Sequence, residues 1–181
     1  MRIGILGPTD YESISEVIGV SQEEVDRILD ETAKYVAEIG AEIVVVPDGG
    51  TSSRFAKAYK EHGGKKVIGI IPRKDPEYGI KHLEPYISLL GEEIDVPDWN
   101  YVAPRIVNES DEMIVLGLAP GVFIELGYSK FNIQFKLTKL KNIFVYSNLI
   151  SNGKIQEELE SRLINVIKYI KSPEELKSLL K

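Results

Sequence analysis

The chain of 181 residues contains no cysteine, which excludes a disulfide framework and any metal site built on thiolates. Histidine is nearly as scarce. His62 and His82 are the two present, they lie in unrelated contexts, and neither has the carboxylate arrangement typical of a metal site. Both read as solvated helix-surface residues, and neither a metal nor a resident cofactor is expected. No apolar run approaches the roughly 20 residues that cross a bilayer, so no membrane association is expected. Positive charge is in deficit, with 22 Lys and Arg against 28 Asp and Glu for a net charge of -6. Non-specific nucleic-acid affinity comes largely from neutralising phosphates, so nucleic acid is not an expected partner. The opening MRIGILG reads as a strand where a signal peptide would need a cationic and then apolar stretch, which points to the cytoplasm. Two phosphate-binding signatures are also missing. The segment Ile3-Gly4-Ile5-Leu6-Gly7-Pro8 lacks the spacing of G-x-G-x-x-G, and no G-x-x-x-x-G-K-S/T occurs, which disfavours NAD redox chemistry and P-loop hydrolysis.

What is present is an ordinary globular composition, 43% hydrophobic and 28% charged, sufficient for one domain over residues 1–181 with a single substantial core. Apolar runs and helical spacings alternate along it. Strands are expected at Arg2 to Leu6, Glu42 to Val46, Lys66 to Ile71, Met113 to Leu118, Asn142 to Tyr146 and Val166 to Ile170. Ser21 and Glu24 form an S-x-x-E capping box before a helix whose apolar positions include Val25, Ile28, Leu29, Thr32, Val36 and Ile39. Further helices are expected over about 52–61, 100–109, 122–140 and 155–163, and after Ser172-Pro173. Residues 73–98 are the least regular, with a short helix near 82–90, a strand near 93–96, and a loose excursion suited to a lid. With right-handed crossovers this order makes a Rossmann-like α/β fold: a doubly wound parallel sheet with helices on both faces.

Ligands of such sheets bind outside the carboxyl ends of the strands, at helix N-termini. Three glycine-bearing turns fall on that edge: Gly7-Pro8-Thr9-Asp10, Asp48-Gly49-Gly50-Thr51-Ser52-Ser53, and Gly117-Leu118-Ala119-Pro120-Gly121. Glycine lets backbone amides approach an anion and hydroxyls add donors, so Gly7, Thr9, Gly49, Gly50, Thr51, Ser52, Ser53, Gly117 and Gly121 are candidate phosphate or nucleotide contacts. Any one such turn can equally be a tight βα connection; their convergence carries the expectation. Between Arg105 and Glu125 two side chains of opposite charge flank a buried-strand pattern. An Arg fork matches phosphate or carboxylate, and a first-turn Glu can aim into the same pocket, or else merely complement a helix dipole. Arg54 can clamp a phosphate or be solvated. Asp111 reads as a turn or capping residue, and Trp99 as a stacking platform or a core anchor.

The segments IGILG, PDGGTSSRFAKAYKEHGGKKVIGIIP and APRIVNESDEMIVLGLAPGVFIELGYSKF resemble the LOG family of Rossmann-like proteins. That family includes the cytokinin-activating nucleoside 5'-monophosphate phosphoribohydrolases once misnamed lysine decarboxylases, and the wider group includes the molybdenum cofactor carrier proteins. The likeness runs from the first strand to about Tyr146. It implies a homodimer with a nucleotide pocket at the strand carboxyl ends. The family motif P-G-G-x-G-T-x-x-E falls on Gly117 to Glu125: Gly121 and Glu125 match, while Leu118, Ala119 and Val122 replace Gly, Gly and Thr. Arg105 sits where the family's active-site Arg precedes the S-D stretch. Gly49 and Gly50 match the second glycine turn, with Ser52 and Ser53 where glycines are common. The charged pair survives and the phosphate-binding part is eroded.

Two readings of different class follow. In the first, the chain binds a nucleotide or phosphoribosyl ligand, or a pterin-type cofactor as a carrier does, without turning it over. In the second it is a nucleoside 5'-monophosphate phosphoribohydrolase, with Glu125 stabilising an oxocarbenium-like centre or activating water and Arg105 positioning the substrate. Binding ranks first because it holds under either outcome; a purely structural protein would show no thermal shift with any nucleotide.

Overall fold

A computed structural model describes residues 1–75 and 80–180. Seven parallel strands form one sheet in the order β4-β3-β2-β1-β5-β6-β7. They are β1 (Arg2–Leu6), β2 (Glu42–Val45), β3 (Val67–Ile71), β4 (Glu92–Asp95), β5 (Glu112–Val115), β6 (Asn142–Tyr146) and β7 (Ile167–Ile170). Every residue of β3 and β5 is buried, as expected of strands covered on both faces. Side chains alternate between two cores. Ile3, Ile5, Ile43 and Val45 point to one, and Leu6, Val44, Met113 and Val115 to the other.

The first core is covered by α1 (Ser13–Ile18), α2 (Gln22–Glu38), α3 (Gly50–Glu61) and α8 (Pro173–Leu179), the second by α5 (Val102–Glu109), α6 (Pro120–Gln134) and α7 (Glu157–Leu163). A short α4 (Glu84–Ile87) precedes β4. The Ser21 hydroxyl accepts from the Glu24 amide at the start of α2, as the capping box requires, and Ser172 does the same for Glu175 in α8. Among the described residues no helix is long and apolar enough to cross a membrane.

Several boundaries differ from the sequence expectation, and β5, expected to run to Leu118, ends at Val115. Helix α1 was not anticipated, because its six residues sit in a polar loop. Helix α6 stops at Gln134, not near Leu140: Lys136 adopts φ +56° and the Leu137 amide returns to the Asn132 carbonyl, a left-handed residue closing a helix. Within 73–98 the strand expected near 93–96 is present as β4, an edge strand paired to β3; the part of the expected lid at 76–79 lies outside the described residues.

At the amino ends of the strands Arg2 gathers Glu42, Glu92 and Glu109, and its backbone amide donates to Asp111. The opposite edge is different. There the chain runs outward from β1 through β2 and β3 to β4, then returns to β5 on the other side of β1. This reversal of winding opens a crevice beyond the carboxyl ends of β1 and β5.

Candidate functional site

The crevice is a cavity of about 380 Å³ whose walls include Gly7, Thr9, Asp48, Ser52, Trp99 and Glu125. The turns after β1 and β2 form one side, and their closeness depends on glycine. Gly50 has φ +49°, and a Cβ on it would stand 2.2 Å from the Thr9 carbonyl oxygen and 2.5 Å from that of Pro8. Thr51 donates to that Pro8 carbonyl twice, from its amide at 3.1 Å and from Oγ1 at 2.9 Å. A Cβ on Gly7 would meet Thr51 Cγ2 at 2.5 Å. These residues lock two turns together before any ligand is considered.

The same locking uses the hydroxyls expected to hold phosphate. Ser52 Oγ donates to the Ile5 carbonyl, and Ser53 Oγ accepts from the Gly49 amide. Thr9 Oγ1 donates to Asp48 Oδ2 at 2.8 Å. Of the nine candidate phosphate contacts, Gly7, Thr9, Ser52 and Gly121 line this cavity. Gly50 and Ser53, with Thr9 again, face an adjoining depression. Gly49, Thr51 and Gly117 line neither. Gly117, with φ +121°, turns the chain beside Pro8 and Ile14.

Helix α6 forms the far side. It begins at Ala119 without a side-chain cap and has Pro120 in its first turn, so one first-turn amide is absent. One turn on, Glu125 faces the cavity while its neighbour Leu126 is fully buried in the core. Among the described residues no hydrogen-bond donor or cation reaches the Glu125 carboxylate. Burial, and secondarily the negative charge of Asp48, push its carboxyl up to about 8. Burial also raises Asp48, but the Thr9 hydroxyl, its own amide and the proximity of His82 oppose that rise. Two carboxyls thus face one cavity, both raised by burial, and Glu125 holds its proton well above the ordinary carboxylate range.

Arg105 and Glu125 do not meet in this cavity. Arg105 is exposed on α5 and pairs with Glu109 one turn along at 2.7 Å. Helical phase is the reason: α5 turns Val102 and Ala103 toward the cavity and buries Ile106, and with about 3.6 residues per turn position 105 then points away. Asp48 is the residue that sequence reasoning passed over as a turn former. The signal that could have found it is a carboxylate at the carboxyl end of a parallel strand, on the edge where ligands bind.

The remaining candidates fall as follows. Trp99 is half-buried, lines the cavity and stacks on His82 with ring centroids 5.4 Å apart; its Nε1 is buried without a partner among the described residues. His62 pairs with Asp30. Asp111 accepts from the Arg2 amide and pairs with Lys139. Arg54 pairs with Glu12 and lies 4.4 Å from the Tyr11 ring centroid. Among the described residues no group of three or more His, Asp or Glu side chains is disposed to hold a metal.

No protein-family model matches the sequence, and no curated protein does. Solved structures do match. The molybdenum cofactor carrier protein of Chlamydomonas reinhardtii superposes with a TM-score of 0.71 at 16% identity, covering 99% of this chain and 94% of that one. The chain has the fold of the molybdenum cofactor carrier proteins. A molybdenum cofactor binding protein from Rippkaea orientalis gives 0.70 at 18% identity, with the same coverages of 99% and 94%. TM1055 gives 0.66 at 18% identity, covering 99% and 97%. The likeness read from the motifs is thus matched by the fold over the whole chain, at an identity that leaves the ligand to be argued from the site.

Proposed function

We propose that this chain is a LOG-like protein that binds a nucleotide or phosphoribosyl ligand in the cavity at the ends of β1, β2 and β5. The observation that carries this reading is the unpartnered carboxyl of Glu125, held in an open cavity at the point where the sheet reverses its winding. Glu125 is half-buried and opens onto the cavity, and a strongly perturbed carboxyl in a cleft is a mark of a functional site. The carboxyls of Glu125 and Asp48, on facing walls, offer hydrogen bonds to the hydroxyls of a ribose or the ring nitrogens of a base. Trp99 adds aromatic surface.

The hydrolase reading is supported by the same acid. Water would form a bond to C1 of the ribose as the C1–N bond breaks, its electron pair leaving on the base nitrogen. A proton from Glu125 would neutralise that nitrogen and Asp48 would take one from the water. Arg105 has no part in this scheme from where it lies. The names of two structural neighbours favour a pterin-type cargo as the alternative ligand. Calorimetric titration with nucleoside monophosphates, followed by a search for released base, separates these readings. Glu125→Ala is expected to abolish any release and to weaken affinity; an unchanged rate would remove the hydrolase.

A second copy of the chain is the proposed partner. Ile124, Tyr128, Phe131 and Phe135 are exposed along α6 at helical spacing, so a continuous apolar stripe faces outward. Ile124 and Tyr128 also line the cavity, and a two-fold α6 pairing would cover its open side. Light scattering is expected to give a dimer mass for the native chain and a monomer mass for Phe131→Glu; a native monomer would refute this.

A further inference from the structure

The first cavity presents Asp48 and Glu125 and no Lys or Arg, an unfavourable wall for a phosphate. The α6 turn offers little compensation, because side chains occupy Leu118, Ala119 and Val122 and Pro120 has no amide hydrogen. Cations are found next door. A second depression of about 320 Å³ has Ser53, Arg54 and Lys57 from α3, with Thr9, Gly50 and Tyr86 on its wall; Glu12 lines it too, its carboxylate paired with Arg54 so that the two cations are left in excess. Thr9 lines both hollows and so marks the partition between them; its hydroxyl donates to Asp48.

We propose that the ligand straddles this partition, with its phosphate in the basic depression against Arg54 and Lys57 and its ribose and base in the carboxylate cavity. The inference rests on the nucleotide or phosphoribosyl reading above and adds where the anionic end goes. Arg54 and Lys57 lie three residues apart on one helical face. Arg54 is held in place by Glu12, which takes Nη2 at 2.6 Å, and by the Tyr11 ring, leaving other guanidinium N–H groups to donate. Lys57 has only a 4.0 Å approach to Glu61. Ser53 Oγ already accepts from Gly49 and keeps its own proton to give. Opposite charges on two adjoining hollows match a molecule with a phosphate at one end and hydrogen-bonding groups at the other. Phosphate recognition has accordingly moved from the α6 turn to α3.

The test is calorimetry with the four common nucleoside 5'-monophosphates and their nucleosides against three proteins. The native chain is expected to prefer a monophosphate over its nucleoside by roughly tenfold or more, the strength of charge-assisted contacts. In R54Q/K57Q, at two exposed positions, that preference should vanish while nucleoside affinity stays. Lys60 is exposed on the same helix and lines neither hollow, so Lys60→Gln removes a cation away from the site and should leave the preference intact. A preference kept in R54Q/K57Q, or lost as fully in Lys60→Gln, overturns the placement. Nucleosides binding the native chain as well as monophosphates also overturns it, with the nucleotide reading intact. No binding of any of the eight overturns both.

Discussion

Gly50→Ala is expected to cost on the order of 3–5 kcal/mol of stability, with loss of ligand binding. The added Cβ would stand 2.2 Å from the Thr9 carbonyl oxygen. Backbone, unlike a side chain, cannot rotate aside. The left-handed φ of +49° adds the roughly 1–2 kcal/mol that an L residue gives up in that region. Relief would have to come from separating the turns after β1 and β2, which are the wall of the cavity and are tied by the two Thr51 donations to Pro8. Gly121→Ala is the contrast. That helical position has open space around it, and alanine there should be neutral or stabilising by up to about 1 kcal/mol. Urea denaturation of both variants checks the pair; equal midpoints would mean that the turns are not locked as described.

Glu125→Gln is expected to stabilise the unliganded protein at alkaline pH and to flatten its dependence on pH. In the unfolded chain a glutamate releases its proton near its ordinary pKa of about 4.3, whereas in the fold burial and Asp48 hold that proton until about pH 8. Between these values the native state binds more protons than the unfolded one, so stability falls as pH rises. The favourable contribution is fully present below the lower value and is lost by the upper. Each unit within the window corresponds to about 1.36 kcal/mol; allowing for water in the open cavity, the total is on the order of 3 kcal/mol. Asp48, also raised by burial, acts in the same direction. Native protein and Glu125→Gln should therefore have similar stabilities at pH 4 and diverge by pH 8, with the variant more stable. Parallel profiles would show that the carboxyl is not held as described.

Much of the fold was legible because parallel strands buried on both faces read as unbroken apolar runs. Val67–Ile71 and the stretch after Glu112 are of this kind, and the turns between strands carry glycine and proline. Helix ends were less so. The apolar spacing of Ile133, Leu137 and Leu140 continues past Gln134 as though α6 did, but only backbone geometry reveals that Lys136 turns left-handed and closes it. In the site, Glu125 was legible because its distance from the glycine turn places it one helical turn inside α6. Arg105 was misplaced because helical phase depends on where α5 starts, and the 3-10 turn of Trp99–Tyr101 shifts that start. The hydroxyls of Thr51 and Ser52 illustrate a different limit. A hydroxyl after a glycine pair serves a ligand or a nearby carbonyl equally well, and only the approach of Pro8 and Ile5 from β1 decides between them. Asp48 was hidden for a related reason, since Asp and Gly are also among the residues that dominate plain turns.

The central claim is that a nucleotide or phosphoribosyl ligand occupies the hollow between Asp48 and Glu125, and filling that hollow tests it most directly. Ala103 is half-buried on its wall, so Ala103→Trp blocks the cavity from the first turn of α5 while leaving both carboxylates in place. Calorimetry should show saturable binding of a nucleoside monophosphate to the native chain and none to Ala103→Trp, with the two proteins unfolding as equally cooperative domains. Equal affinity in the two proteins would mean that the ligand binds elsewhere, and the account would be wrong.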